Sequence, residues 1–167
     1  MVTTRYTNVG KALVVVIDTI ASATLAPTAA EANGGTQIQT ALRSMPVLPR
    51  PVNLIPTPDL SSKQEKQIVG TRGGGEAIVE FLRKLETETE RATLPEDYVG
   101  YLAVFRQGTA DGATDGTATI AAADVCDVYP IEVGAVEPAQ TGRNEADYDT
   151  VRCAITDDVG RDLAVLA

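Results

Sequence analysis

The chain has 167 residues, which suits one domain with its own core and is short for two. Its formal charge is −9 at pH 7, so it lacks the basic surface by which proteins hold nucleic acid through phosphate neutralisation. Histidine is absent, which removes the commonest general base and metal ligand, and with 4% aromatics and no Trp the core must be built from Val, Ile, Leu and Ala.

Residues 1–10 are polar and read as an arm or a loose terminus. Residues 11–18, KALVVVID, form a β-branched run without alternation, which predicts a strand buried on both faces at the centre of a sheet. Asp18 interrupts this apolar run before a signal-peptide core or a membrane span could form, so the expectation is a soluble chain. In residues 26–36, APTAAEANGGT, Thr28 and Glu31 have capping-box spacing and Gly34 falls where a C-cap glycine belongs, predicting one short helix. Residues 36–43, TQIQTALR, alternate as a strand.

Residues 44–62 carry Pro46, Pro49, Pro51, Pro56 and Pro58, which should keep the segment out of a ladder and stiffen it into an extended loop. Its apolar residues are too many for a solvated linker. The expectation is an arm reaching a neighbouring subunit, with Val47, Leu48, Pro49, Leu54, Ile55 and Pro56 as contact candidates; the alternative is a loop folded over its own core. Residues 63–71 and 76–85 flank Arg72-Gly73-Gly74-Gly75 and read as a hairpin with a glycine-rich turn. The glycine run has no following Lys-Ser/Thr and no strand–helix context, so it is not read as a phosphate cradle. Along 76–85, Glu76, Ile78, Glu80, Leu82 and Lys84 share a face that should meet water, opposite Ala77, Val79, Phe81, Arg83 and Leu85.

Residues 86–97 lose the alternation and predict a short helix ended by Pro95. Residues 99–106, VGYLAVFR, are a strand with Tyr101, Ala103 and Phe105 on one face. In the turn region 107–117, Asp111 and Asp115 each precede a glycine, but the ligand spacing of a calcium loop is not met. Residues 124–133 and 148–156 are two further strands joined by a long polar loop. Val125, Asp127, Tyr129, Ile131 and Val133 form one face of the first, and Asp149, Val151, Cys153 and Ile155 one face of the second. Were these strands neighbours, Cys126 and Cys153 could lie close; the favoured reading is two buried free thiols. Residues 161–167 can close an edge.

Three stretches carry a resemblance. DVYPIEVG (127–134), then a loop with Arg143-Asn144-Glu145, a strand and an apolar tail, resembles the C-terminal part of the major tail tube proteins of long-tailed (siphovirus-like) bacteriophages. APTAAE-x-N-x-GT at 26–36 and GYLAVFR at 100–106 resemble segments of the same family. The resemblance implies a mainly β fold, a β-sandwich or barrel with one short flanking helix, in a single domain over 1–167. It implies subunits that form stacked hexameric rings, a virion component assembled in the host cytoplasm. Expected partners are further copies of the chain, a tape measure protein and a tail terminator, with viral DNA passing through without specific binding and no membrane. On this view the 63–85 hairpin lines the lumen, with Glu65, Glu76 and Glu80 facing inward beside Lys63, Lys66, Arg72, Arg83 and Lys84, and the 44–62 loop contacts the next ring.

No catalytic chemistry is asked for. Ser22, Ser44, Ser61 and Ser62 have no His to activate them and no G-x-S-x-G occurs. The expectation is therefore no enzyme, no cofactor and no metal. The alternatives are a tail terminator or connector ring on a similar fold, and a monomeric β-sandwich binding module that would use 107–117 as its ligand loop.

Overall fold

The strand β1 (Leu13–Ile17) is buried along its whole length, and its side chains divide between two apolar clusters on opposite faces of one sheet. This is the two-sided burial that an unalternating β-branched run predicts. The computed structural model describes residues 12–49, 51–57, 66–72, 74–83, 90–112, 116–139 and 146–167. After β1 come helix α1 (Ala29–Gly34), β2 (Thr36–Gln37), β3 (Val52–Thr57), β4 (Lys66–Arg72), β5 (Glu76–Leu82), a single 3₁₀ turn at Arg91–Thr93, β6 (Val99–Phe105), β7 (Val125–Ala139), β8 (Tyr148–Ile155) and β9 (Gly160–Ala164). The fold is mainly antiparallel β with one short helix, as the residues suggest.

The main sheet runs β2-β1-β6-β7-β8-β5, and β9 pairs with the first part of β7. Residues 36–47 join its two ends. Thr36 and Gln37 pair with β1 and the Ile38 amide donates to the Val14 carbonyl, while Leu42 and Val47 bridge to Phe81 and Ile78 of β5. The sheet thus closes into a barrel, which joins its β2 and β5 ends and leaves β9 as an edge strand. Inside lie Val14, Val16, Phe81, Leu102, Tyr129, Ile131, Val151 and Cys153, among others. Outside β1, β6 and β7, a second cluster with Leu13, Val15, Phe105, Cys126 and Val128 is covered by Ala32 of α1, Ala118, Ile120 and Val165. Tyr101, Ala103 and Phe105 share this outer cluster, as their alternation requires.

Helix α1 starts as anticipated. The Thr28 hydroxyl accepts from the Glu31 amide at 3.2 Å and the Glu31 carboxylate accepts from the Thr28 amide at 2.7 Å. Its C-cap, however, is Gly35 rather than Gly34, with an extended backbone (φ −73°, ψ 165°) that feeds straight into β2. Gly35 is needed for space: a Cβ there would come within 2.6 Å of the Val16 carbonyl oxygen.

The other departures concern register. The strand expected over 36–43 lasts two residues, because the Ala41 amide turns back to the Ile38 carbonyl before the chain crosses to β5. The expected hairpin of 63–71 with 76–85 does not form. Strand β4 pairs with β3 and β5 pairs with β8. Taken together, the pairs Leu42–Phe81, Val47–Ile78, Val52–Arg72 and Thr57–Lys66 step along one antiparallel ribbon. Gly74 and Gly75 stand at a break within one arm of that ribbon, not at a reversal. The prolines did not exclude the 44–62 segment from a ladder: Pro56 sits in β3, which among the described residues pairs on one side only, where a missing N–H is tolerated.

Strand β7 continues past Val133 to Ala139 because a bulge between Val133 and Ala135, at Gly134, resets its phase and turns Val136 toward the barrel core. Strands β7 and β8 pair as neighbours, yet the two cysteines remain apart. Cys153 faces Val133 inside the barrel, whereas Cys126 pairs with Leu163 in the outer cluster, seven residues or roughly 20 Å back along β7. Both are buried free thiols. Burial pushes the Cys126 thiol up to about 12, helped by Asp127 and Asp124, and the Cys153 thiol up to about 11. The helix expected over 86–97 is represented among the described residues by the 3₁₀ turn, and β9 supplies the closing edge strand.

Candidate functional site

The ribbon has a proximal half that belongs to the barrel and a distal half, β3–β4, that forms a separate two-stranded sheet. The halves meet where Pro49 and Pro51 lie across from Gly75. A Cβ on Gly75 would fall 2.5 Å from the Pro49 carbonyl oxygen and 3.1 Å from the Pro51 ring, and one on Gly74 would fall 2.2 Å from the Ile155 carbonyl oxygen. Backbone this close admits only glycine, so the breakers on the two strands are fitted to each other. Beyond this point Ile55 and Val69 are 44% and 63% exposed. Val69 pairs with Leu54, so it and Ile55 occupy opposite faces of the ribbon.

The contact candidates therefore separate. Val47 is exposed while its backbone exchanges two hydrogen bonds with Ile78, and Leu48 is half-buried against the barrel core. Pro49 is exposed at the break. Leu54, Ile55 and Pro56 stand in β3, opposite Val69, Ile68 and Gln67.

Of the acidic candidates, Glu65 lies outside the described residues. Glu76 and Glu80 share the outward face of β5, while Ala77, Val79 and Phe81 point into the barrel, which agrees with the expected alternation. Neither glutamate is unpaired. Arg152 of β8 donates to Glu76 at 2.7 Å and to Glu137 of β7 at 3.0 Å. Arg43 lies 3.5 Å from Glu80 and stacks over the Tyr148 ring at 4.1 Å. Hydrogen bonds to Glu76 and then to Glu137 raise the Arg152 guanidinium still further above its usual range. On this face two arginines hold three carboxylates.

Two carboxylates that the alternation put on apolar strand faces, without a role, are buried. Asp149 lies on the inward face of β8 and accepts from Arg83 at 2.8 and 2.9 Å and from Arg91 at 3.0 Å. Asp127 lies on the inward face of β7, where Arg106 donates to it at 2.7 Å and the Asp162 amide at 3.0 Å. Pro138, the partner of Asp149, is eleven residues from Asp127 along β7, so these clusters close opposite ends of the barrel, roughly 35 Å apart. The available signal was a carboxylate within an otherwise apolar alternation.

Among the described residues no group of His, Cys, Asp or Glu is arranged to hold a metal ion, and no helix is long and apolar enough to cross a membrane. In the 107–117 region Asp111 instead accepts from the Thr109 hydroxyl and the Thr119 amide, both at 2.5 Å.

A family model described as phage tail tube protein matches residues 1–167. Solved structures share the fold at low identity. A chain of an extracellular contractile injection system (PVC) sheath/tube terminator in the extended state is 12% identical, with 89% of this chain and 91% of that one covered, at a TM-score of 0.53. The anti-feeding prophage cap, a tube terminating cap, is 11% identical over 95% and 93% at 0.56. The tail of an empty GTA particle with C6 symmetry is 12% identical over 89% and 94% at 0.53. No curated protein matches the chain by sequence.

Proposed function

The chain belongs to the phage tail tube protein family and is a structural protein of the phage tail, and from that premise we propose that its copies form hexameric rings that stack into the tube through which the genome is ejected. The observation that carries this reading is the ribbon. Two strands without a third are marginal in water, and this pair exposes Ile55 on one face and Val69 on the other. Apolar surface on both faces is satisfied when a neighbouring subunit receives the arm, which makes β3–β4 together with Val47 and Pro49 the ring-to-ring or subunit contact. Assembly then takes place in the host cytoplasm, with tape measure and terminator proteins as further partners.

The lumen is assigned to the outward face of β5 and β8, with Glu76 and Glu80 directed inward. The paired arginines on that face support passage of DNA without specific binding, since Arg43 and Arg152 already hold carboxylates and offer phosphates no vacant partner. The second reading is a terminator that makes one ring and does not polymerise, favoured by the terminators among the similar structures.

Electron microscopy of the purified protein across a concentration series separates the readings. Hollow tubes are expected, lost in an Ile55→Glu, Val69→Glu variant that keeps the wild-type circular dichroism spectrum. Isolated rings at every concentration would support the terminator. Small particles throughout, in the wild-type chain, would defeat both.

A further inference from the structure

A chain of charge −9 repels its own copies, so contact between copies is favoured where a cation on one meets an anion on the other. Six arginine side chains are described. Arg43, Arg83, Arg91, Arg106 and Arg152 each hold a carboxylate. Arg161, exposed on β9, has no ion-pair or hydrogen-bond partner among the described residues. It lines a concavity of about 240 Å³ with Met45, Leu48, Tyr129 and Arg106, and no carboxylate lines it. Arg106 is held by Asp127, so the unmet charge is that of Arg161, beside a Met45 side chain that is 42% exposed.

The complementary surface lies at the other end of β6. Val99 is 65% exposed, the most exposed large apolar side chain among the described residues, and its cross-strand partner is Glu132. Glu132 is also exposed and without a partner among the described residues. Beside them a concavity of about 300 Å³ is lined by Asp18, Asp157, Ile20, Leu25 and Tyr101, with no Lys or Arg. Val99 opens β6 and Arg106 follows its end, which separates the two surfaces by roughly 20 Å along the strand. A patch with an unmet cation and an apolar floor thus stands at one end, and an unmet anion with an apolar knob at the other. Such surfaces cannot satisfy each other within one copy.

We propose that the Arg161 pocket receives the Val99–Glu132 end of a second copy, with the guanidinium paired to the Glu132 carboxylate. The contact is heterologous, so copies add head to tail in one direction. This rests on the self-assembling reading above.

The test is charge reversal in the full chain, followed by sedimentation and electron microscopy. Arg161→Glu and Glu132→Arg should each raise the concentration needed for assembly by about tenfold or more, and the double variant should restore assembly. Wild-type behaviour of Arg161→Glu, or a double variant no better than the singles, overturns the pairing while leaving the tube reading intact. A wild-type chain that never assembles overturns the tube reading itself. Unchanged thermal midpoints establish that the variants fold, and Arg161→Gln replaces any reversal that does not.

Discussion

Replacing Asp149 with Ala removes the carboxylate that closes one end of the barrel. Its side chain is 4% exposed and takes three charged hydrogen bonds, two from Arg83 and one from Arg91. Charged hydrogen bonds contribute about 1.5–3 kcal/mol each when they are buried. Two corrections reduce the sum. The guanidinium groups are 39% and 34% exposed, so water screens their bonds to Asp149, and truncation relieves the cost of keeping a carboxylate dry. A loss of about 3 kcal/mol remains, and for a domain of this size that lowers Tm by roughly 6–12 °C. Thermal unfolding followed by far-UV circular dichroism, below the concentration of assembly, reads this directly. Arg152→Ala serves as the contrast, because its two ion pairs lie on an exposed face and its loss should leave Tm nearly unchanged. If Asp149→Ala shifts Tm by less than about 2 °C, or if Arg152→Ala costs as much, the assignment of the buried cluster as a structural closure is wrong.

Two further outcomes are expected. Reversing Glu76 and Glu80 to Lys leaves Arg152 with Glu137 alone, sets Arg43 beside a new cation and should slow genome ejection from phage that still carry intact tubes; normal ejection kinetics would remove these residues from the lumen. The Glu31 carboxylate is held below its ordinary range by the backbone amides of Thr28 and Ala21. Because the folded value is the lower one, its contribution is complete above the unfolded value near ~4.3 and is lost as pH falls through the folded value. The Tm advantage of wild type over Glu31→Gln should therefore be present at neutral pH and vanish in acid, and an advantage that persists unchanged in acid would contradict the role.

Patterns that depend on neighbours in sequence were legible. The run Leu13–Ile17, the alternation of Glu76–Leu82 and Tyr148–Ile155, and the Thr28–Glu31 box each declare local geometry through side chains a few residues apart. Pairing between distant segments was not. The Arg72–Gly75 stretch has the composition of a turn, and only the approach of Pro49 and Pro51 makes it a break in a longer ribbon. The barrel's closure rests on Leu42 and Val47 meeting Phe81 and Ile78, contacts that no local period encodes. Asp127 and Asp149 stood in the correct inward faces, but the arginines that permit their burial come from other strands and turns.

Strand β7 has a mechanical consequence. Its fifteen residues run as one covalent backbone from the Asp127 cluster to the Asp149 cluster, flanked by β6, β8 and β9. Antiparallel hydrogen bonds lie across the strand direction. Tension applied between the two ends therefore loads those bonds in shear, many at once, instead of peeling them apart in turn. A subunit pulled along its axis should yield late and all together, like a lap joint and unlike a zip.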